Sequence, residues 1–88
     1  MSEQKLQKQI IDWLKTNGYW VVKVIVANRS GIPDIIACSP QGLFVAVEVK
    51  YGSNTASPLQ EYNIAEITKR KGLALVTWDL ETVIAKLS

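Results

Sequence analysis

The chain has no histidine. That absence removes Ser-His and Cys-His catalysis, and the usual zinc ligand sets, from consideration. Only one cysteine is present, Cys38, so no disulfide framework can brace the chain. Cys38 lies in an apolar run and reads as a small core residue. A leader-like N-terminal apolar stretch and an apolar run of membrane length are also missing, which points to a cytoplasmic protein. Neither positive nor negative residues are in strong excess: ten Lys and Arg against eight Asp and Glu leave a net +2, which by itself says little about nucleic acid. Repeats, low-complexity tracts and linkers are lacking, so residues 1–88 read as one domain. A domain of this size buries only roughly 60–65% of its unfolded surface, so a lone copy would be marginal. Any catalysis must use carboxylates, lysines or a hard metal ion.

What the chain does have is a patterned hairpin. Ile35 to Cys38 and Leu43 to Val47 are apolar runs on either side of Ser39-Pro40-Gln41-Gly42. Pro40 suits the second position of a type I turn, and Gly42 suits the left-handed residue that follows it. That turn pairs Ser39 with Leu43 and carries Asp34 opposite Glu48, on one face of the sheet. Lys50, two residues beyond Glu48, shares the face. Two facing carboxylates repel, and a divalent cation between them removes the repulsion; hard oxygen ligands favour Mg²⁺ or Mn²⁺. The plainer alternative is a chance pair of surface carboxylates. Val45-Ala46-Val47 and Val49 argue against it, because a strand apolar on both faces is covered on both.

Residues 3–17 read as a helix with Leu6, Ile10, Trp13 and Leu14 as its apolar stripe, closed by Asn17-Gly18. Glu3 projects toward the buried side of this helix; a favourable charge at a helix N-terminus explains it equally well. Tyr19 to Val26 is strongly β-prone, with Lys23 as its one charge. Lys23 is either a guard against edge pairing or a phosphate contact, and Arg29 in the next turn is a second candidate contact. Ser57-Pro58-Leu59-Gln60 starts another helix, with Ser57 as N-cap, Pro58 at the first position and Gln60 completing a capping box. Gln60 also shares a helical face with Ile64 and Ile67 and so points inward. The run Lys69-Arg70-Lys71 before Gly72 suits the helix dipole and could also meet DNA. Leu73 to Thr77 is a strand, and Asp79 caps a last helix. Trp13, Trp20 and Trp78 read as core or interface residues. The order is α-β-β-β-α-β-α, an α/β fold with a mixed sheet flanked by helices.

Gly31-Ile32-Pro33-Asp34 followed by Glu48-Val49-Lys50 resembles the signature of the PD-(D/E)XK (restriction-endonuclease-like) nucleases. Glu3-Gln4-Lys5-Leu6 opening the first helix, the glycine two residues before Pro33, and Pro58-Leu59-Gln60 after the second motif narrow the likeness. Together they resemble the stand-alone VRR-NUC (virus-type replication-repair nuclease) domain, often found in phages, over nearly the whole chain. The resemblance implies that Glu3, Asp34, Glu48 and the Val49 backbone carbonyl hold Mg²⁺, with Mn²⁺ able to substitute. It makes Lys50 the catalytic lysine and Gln60 an active-site residue. Ile35 departs from the arginine that many members carry after the aspartate, which bears on substrate preference more than on chemistry.

The function implied is a metal-dependent, structure-specific DNA endonuclease acting on Holliday-junction-like or other branched DNA, as in DNA repair, in a bacterial or phage-infected cell. The alternatives are a restriction- or flap-type nuclease and a catalytically silent DNA-binding or assembly module. Lys23, Arg29, Lys69, Arg70 and Lys71 are the expected DNA contacts. A homodimer is expected, since two symmetric cuts need two sites.

Overall fold

The computed structural model describes residues 1–88. Helix α1 (Glu3–Thr16) is capped by Ser2, whose hydroxyl accepts the Lys5 N–H at 3.2 Å. It buries Leu6, Ile10 and Leu14 at four-residue spacing. The strands are β1 (Trp20–Lys23), β2 (Ile35–Cys38), β3 (Phe44–Val49) and β4 (Leu73–Thr77). They lie side by side in chain order; the first three are antiparallel, and β4 runs parallel to β3. Helix α2 (Pro58–Lys69) makes the crossover between β3 and β4, and α3 (Leu80–Leu87) follows β4. The expected α-β-β-β-α-β-α order and mixed sheet are what the chain adopts.

The hairpin forms in the expected register: Ile35 faces Val47 and Cys38 faces Phe44. Ser39 N–H donates to the Leu43 carbonyl, Gly42 N–H donates to the Ser39 carbonyl, and Gly42 takes the left-handed conformation at φ +91°. Glycine reaches that conformation at no steric cost, which is why it terminates the turn.

The core is one-sided. Ile35, Ala37, Val45, Val47, Val49 and Leu75 project from one face of the sheet onto Leu6, Ile10, Leu14 and Val83 of α1 and α3. Burying each of the larger side chains contributes about 1.5–3 kcal/mol. The other face is covered by α2, which packs over β3 and β4 and leaves β1 bare. Strand β3, buried from Val45 to Val49, is covered on both sides as expected.

Partial cover of the second face narrows the reading of the tryptophans and corrects those of Cys38 and of the length of β1. Trp20 is 64% exposed because its face of β1 lies beyond the reach of α2. Trp78 is 45% exposed, although its indole N–H donates to the Asn54 carbonyl and ties down the loop before α2. Of the three tryptophans only Trp13 packs against the core. Cys38, on the same face as Trp20, is half-buried rather than a core residue. Strand β1 ends at Lys23, short of the expected Val26. Val24 N–H still reaches the Asp34 carbonyl at 2.8 Å, but the chain before Asp34 turns away toward α2. Ile25 and Val26 therefore have no strand to pair with and are exposed.

Candidate active site

Continuing the β2–β3 register by one residue places Asp34 opposite Glu48. The two carboxylates differ in surroundings. Asp34 Oδ2 accepts the Val49 N–H at 2.9 Å, which pins it to the neighbouring strand. Glu48 is 2% exposed. Its Oε2 receives Gln60 Nε2 at 3.1 Å and lies 3.3 Å from Lys50 Nζ. Its Oε1 is buried with no donor. Burial and then the nearby Asp34 charge push the Glu48 carboxyl up from its ordinary 4.5 to about 7, against the opposing pull of Lys50.

An ionised carboxylate with one oxygen orphaned in a buried site is costly, and either a proton, shared with the facing Asp34, or a cation satisfies it. The donors are all oxygen, with no histidine or thiolate beside them, so the set suits a hard divalent ion such as Mg²⁺ or Mn²⁺. The residues present fit a metal ion at the Asp34–Glu48 pair.

Gln60 occupies two roles through the two ends of one amide. Its Oε1 accepts the Ser57 N–H at 2.8 Å, closing the capping box of α2, and this leaves Nε2 to face Glu48. The cap expected from sequence and the site contact thus coexist.

The loop carrying Asp34 is fixed by a residue that sequence inspection passed over. Asn63, on α2 one turn after Gln60, donates from Nδ2 to the carbonyls of Gly31 at 3.0 Å and Ser30 at 3.3 Å, and to Leu59 of its own helix. Gly31 makes this approach possible. It sits at φ +79°, and a Cβ there would lie 2.8 Å from the Leu59 carbonyl carbon and 2.9 Å from Asn63 Nδ2. The glycine two residues before Pro33 is thus a packing requirement. Asn63 carried no local signal, because its partners are about thirty residues away.

Not every expected residue converges. Glu3 occupies the first turn of α1, half-exposed, and no three Asp, Glu, Cys or His side chains come together as a metal cage. Ser2 takes the cap, and Glu3 is left in the position of a favourable charge at a helix start. The buried polar group on α1 is instead Gln7, one turn on, whose Oε1 also has no donor. For Val49, the backbone group tied to the pair is its N–H.

Among the basic candidates, Lys23 is exposed at the end of the edge strand β1, opposite Ile35. By strand alternation it projects to the face opposite Asp34 and Glu48. Lys69 and Arg70 both pair with Glu66, at 3.1 and 2.9 Å, and hold its carboxyl below the ordinary range through those bonds, that of Arg70 foremost. Lys71, not Gly72, takes the left-handed position after α2, at φ +72°. Gly72 is needed for space: a Cβ there would lie 2.7 Å from Ile67 Cγ2. Arg29 is exposed and forms no ion pair. No helix is long and apolar enough to cross a membrane.

No family model and no curated protein matches the sequence. Solved structures do match. One named "VRR_NUC domain" superposes with a TM-score of 0.83 and 27% identity, covering 97% of this chain and 92% of that one. Another, named "VRR_NUC domain protein", gives a TM-score of 0.77 at 19% identity, covering 99% of this chain and 85% of that one. At the lower identity the likeness is one of fold alone. Over nearly its whole length, the chain has the nuclease-type fold of the VRR_NUC domain.

Proposed function

We propose that the chain is a metal-dependent DNA endonuclease that hydrolyses phosphodiester bonds at Asp34, Glu48 and Lys50, with branched DNA as its substrate. The observation that carries this reading is the buried Glu48 carboxylate. One of its oxygens is bonded by Gln60 and lies beside Lys50, and the other is left without a partner. A purely structural carboxylate buried this deeply would have both oxygens satisfied.

Asp34 and Glu48 would hold the ion, joined by the Val49 carbonyl; a bound divalent cation lowers the pKa of water and polarises a phosphoryl oxygen. The protein's own groups do the rest. Gln60 and Lys50 hold Glu48 in one orientation, so little reorganisation is needed when substrate arrives. The Lys50 side chain, 14% exposed, brings Nζ to 3.3 Å from Glu48 Oε2. There it stabilises the negative charge that develops on the phosphate as water oxygen bonds to phosphorus and the P–O bond to the leaving sugar breaks. The attacking water gives up one proton to solvent, the leaving oxygen takes one from solvent, and no covalent enzyme intermediate is needed. Arg29 is the cation free to meet the DNA backbone, with Lys71 near the end of α2.

A two-fold homodimer supplies two such sites for two symmetric cuts. The exposed apolar side chains of Trp20, Ile25 and Val26 are the surface such a pairing would cover. The test is cleavage of duplex, flap and four-way-junction DNA with Mg²⁺, Mn²⁺ or excess EDTA, with sedimentation of the same sample. The expected result is metal-dependent paired nicking of the junction by a species of twice the chain mass. Metal-dependent cleavage of flaps alone by a monomer would favour the flap-nuclease reading, and cleavage persisting in EDTA would exclude the metal mechanism.

A further inference from the structure

Beside the catalytic groups lies a cleft of about 500 Å³ that the cleavage chemistry does not use. Its size falls in the range of sites that hold small ligands. One wall is apolar, formed by Ile36 of β2 and Phe44 of β3; Tyr62 of α2 stands across from them. Phe44 and Tyr62 are 45% and 57% exposed, which leaves both side chains free to meet a ligand. The cleft joins the active site through the chain itself. Pro33, which lines it, precedes Asp34, and Asn63, which lines it, lies one turn from Gln60.

Its polar groups are arranged around that apolar wall. Asn63 is 5% exposed, and its Nδ2 is committed to three backbone carbonyls, which fixes the orientation of the amide. The other end, Oδ1, accepts no hydrogen bond from the protein. This oxygen keeps access to solvent and so is free to accept a donor from a ligand in the cleft. Glu66, also on the wall, is a second acceptor, held ionised by Arg70 and Lys69. Arg70 is committed to that carboxylate, whereas Arg29 is the cation of the cleft with no ion pair.

An apolar slot flanked by aromatic rings, two acceptors and a single free guanidinium match the parts of one nucleotide. Aromatic faces take a base, acceptors take its exocyclic amino group, and the guanidinium takes its phosphate. Resting on the DNA-cleaving function above, we propose that this cleft receives one unstacked nucleotide of the substrate, with a preference for an amino-bearing base over thymine. Tyr62 and Phe44 hold the base, Asn63 Oδ1 and Glu66 accept from its amino group, and Arg29 meets its phosphate. The device selects DNA in which a nucleotide is already unpaired beside the cut, as at a branch point.

The test uses the intact protein in EDTA, with binding read by fluorescence anisotropy. The DNAs are fully paired duplexes and duplexes with one unpaired cytosine, thymine or abasic residue at a branch; cleavage is followed in parallel with Mg²⁺. Unpaired cytosine should bind about tenfold tighter than the abasic residue, the scale of one base–aromatic stack, and tighter than thymine. Tyr62→Ala, a change at an exposed position, should erase that difference and leave paired duplex binding unaltered. Normal cleavage with no preference for the unpaired base, or with a preference that survives Tyr62→Ala, overturns the cleft assignment alone. Absence of both binding and cleavage overturns it together with the nuclease reading. If Tyr62→Ala halves the sedimenting mass, the cleft belongs to a second copy of the chain, and the nucleotide assignment falls.

Discussion

Gln60 Nε2 lies 3.1 Å from Glu48 Oε2, while Gln60 Oε1 accepts the Ser57 N–H at 2.8 Å. One amide therefore closes the start of α2 and orients the buried carboxylate of β3. Ser57→Ala removes only the cap and Gln60→Ala removes both contacts. Each should lower stability by about 0.5–2 kcal/mol. Ser57→Ala should keep near-normal cleavage, whereas Gln60→Ala should lose it in larger proportion than its stability. Denaturant unfolding and single-turnover cleavage on the same preparations would separate the two roles, and equal activity in both variants would leave Gln60 as a cap alone.

Burial of Glu48 makes metal-free stability depend on pH in a defined direction. Its carboxyl is raised from 4.5 to about 7, so the folded state binds this proton more tightly than the unfolded state. The stabilisation is complete below about pH 4.5 and is lost as pH rises through about 7. In EDTA, wild-type protein should lose melting temperature between about pH 5 and 8 relative to Glu48→Gln, which has no charge to bury. At about pH 8 the glutamine variant should be the more stable protein, though inactive. Parallel pH profiles for the two proteins would remove burial as the cause.

Gly31 links the motif loop to α2. Replacing it with alanine adds a Cβ 2.8 Å from helix backbone at a conformation, φ +79°, that L side chains rarely adopt. Gly31→Ala should cost more than about 1 kcal/mol and displace Asp34 as well, so activity should fall even where the protein remains folded. Circular dichroism melts beside cleavage rates check this; full activity at unchanged melting temperature would show that the loop and α2 can separate freely.

The hairpin was legible because Pro40 and Gly42 fix its turn, and a fixed turn fixes every pair beyond it, including Asp34 with Glu48. The α2 cap was legible because its signal lies within four residues. What sequence inspection missed depends on distant packing. Nothing local says that α2 stops short of β1 and leaves Trp20 exposed, or that Asn63 reaches Gly31. The same holds for Glu3: the apolar stripe of α1 orients the helix but does not say whether its first turn reaches the carboxylate pair. For Gln7 the pattern was mute, since a glutamine beside a buried leucine looks like any polar helix residue.

Lys50 faces Glu48 at 3.3 Å and is mostly covered. Lys50→Ala should still bind Mn²⁺ yet cleave about 10²–10³-fold more slowly, the usual effect of losing one well-placed stabiliser of transition-state charge. Single-turnover rates at saturating metal are the check; a near-normal rate would take Lys50 out of the chemistry.

The pairing of Asp34 with a half-satisfied Glu48 as the seat of a metal ion is tested most directly by calorimetry of Mn²⁺ binding in buffers of different ionisation enthalpy, for wild type and Glu48→Gln. Wild type should bind Mn²⁺ and release a proton, increasingly so as pH falls from about 8 to 6, because the ion must displace the proton held by Glu48. The glutamine variant should bind far more weakly and release none. Equal binding by the two proteins, or binding to wild type without proton release at about pH 6, would contradict a metal site at this carboxylate pair.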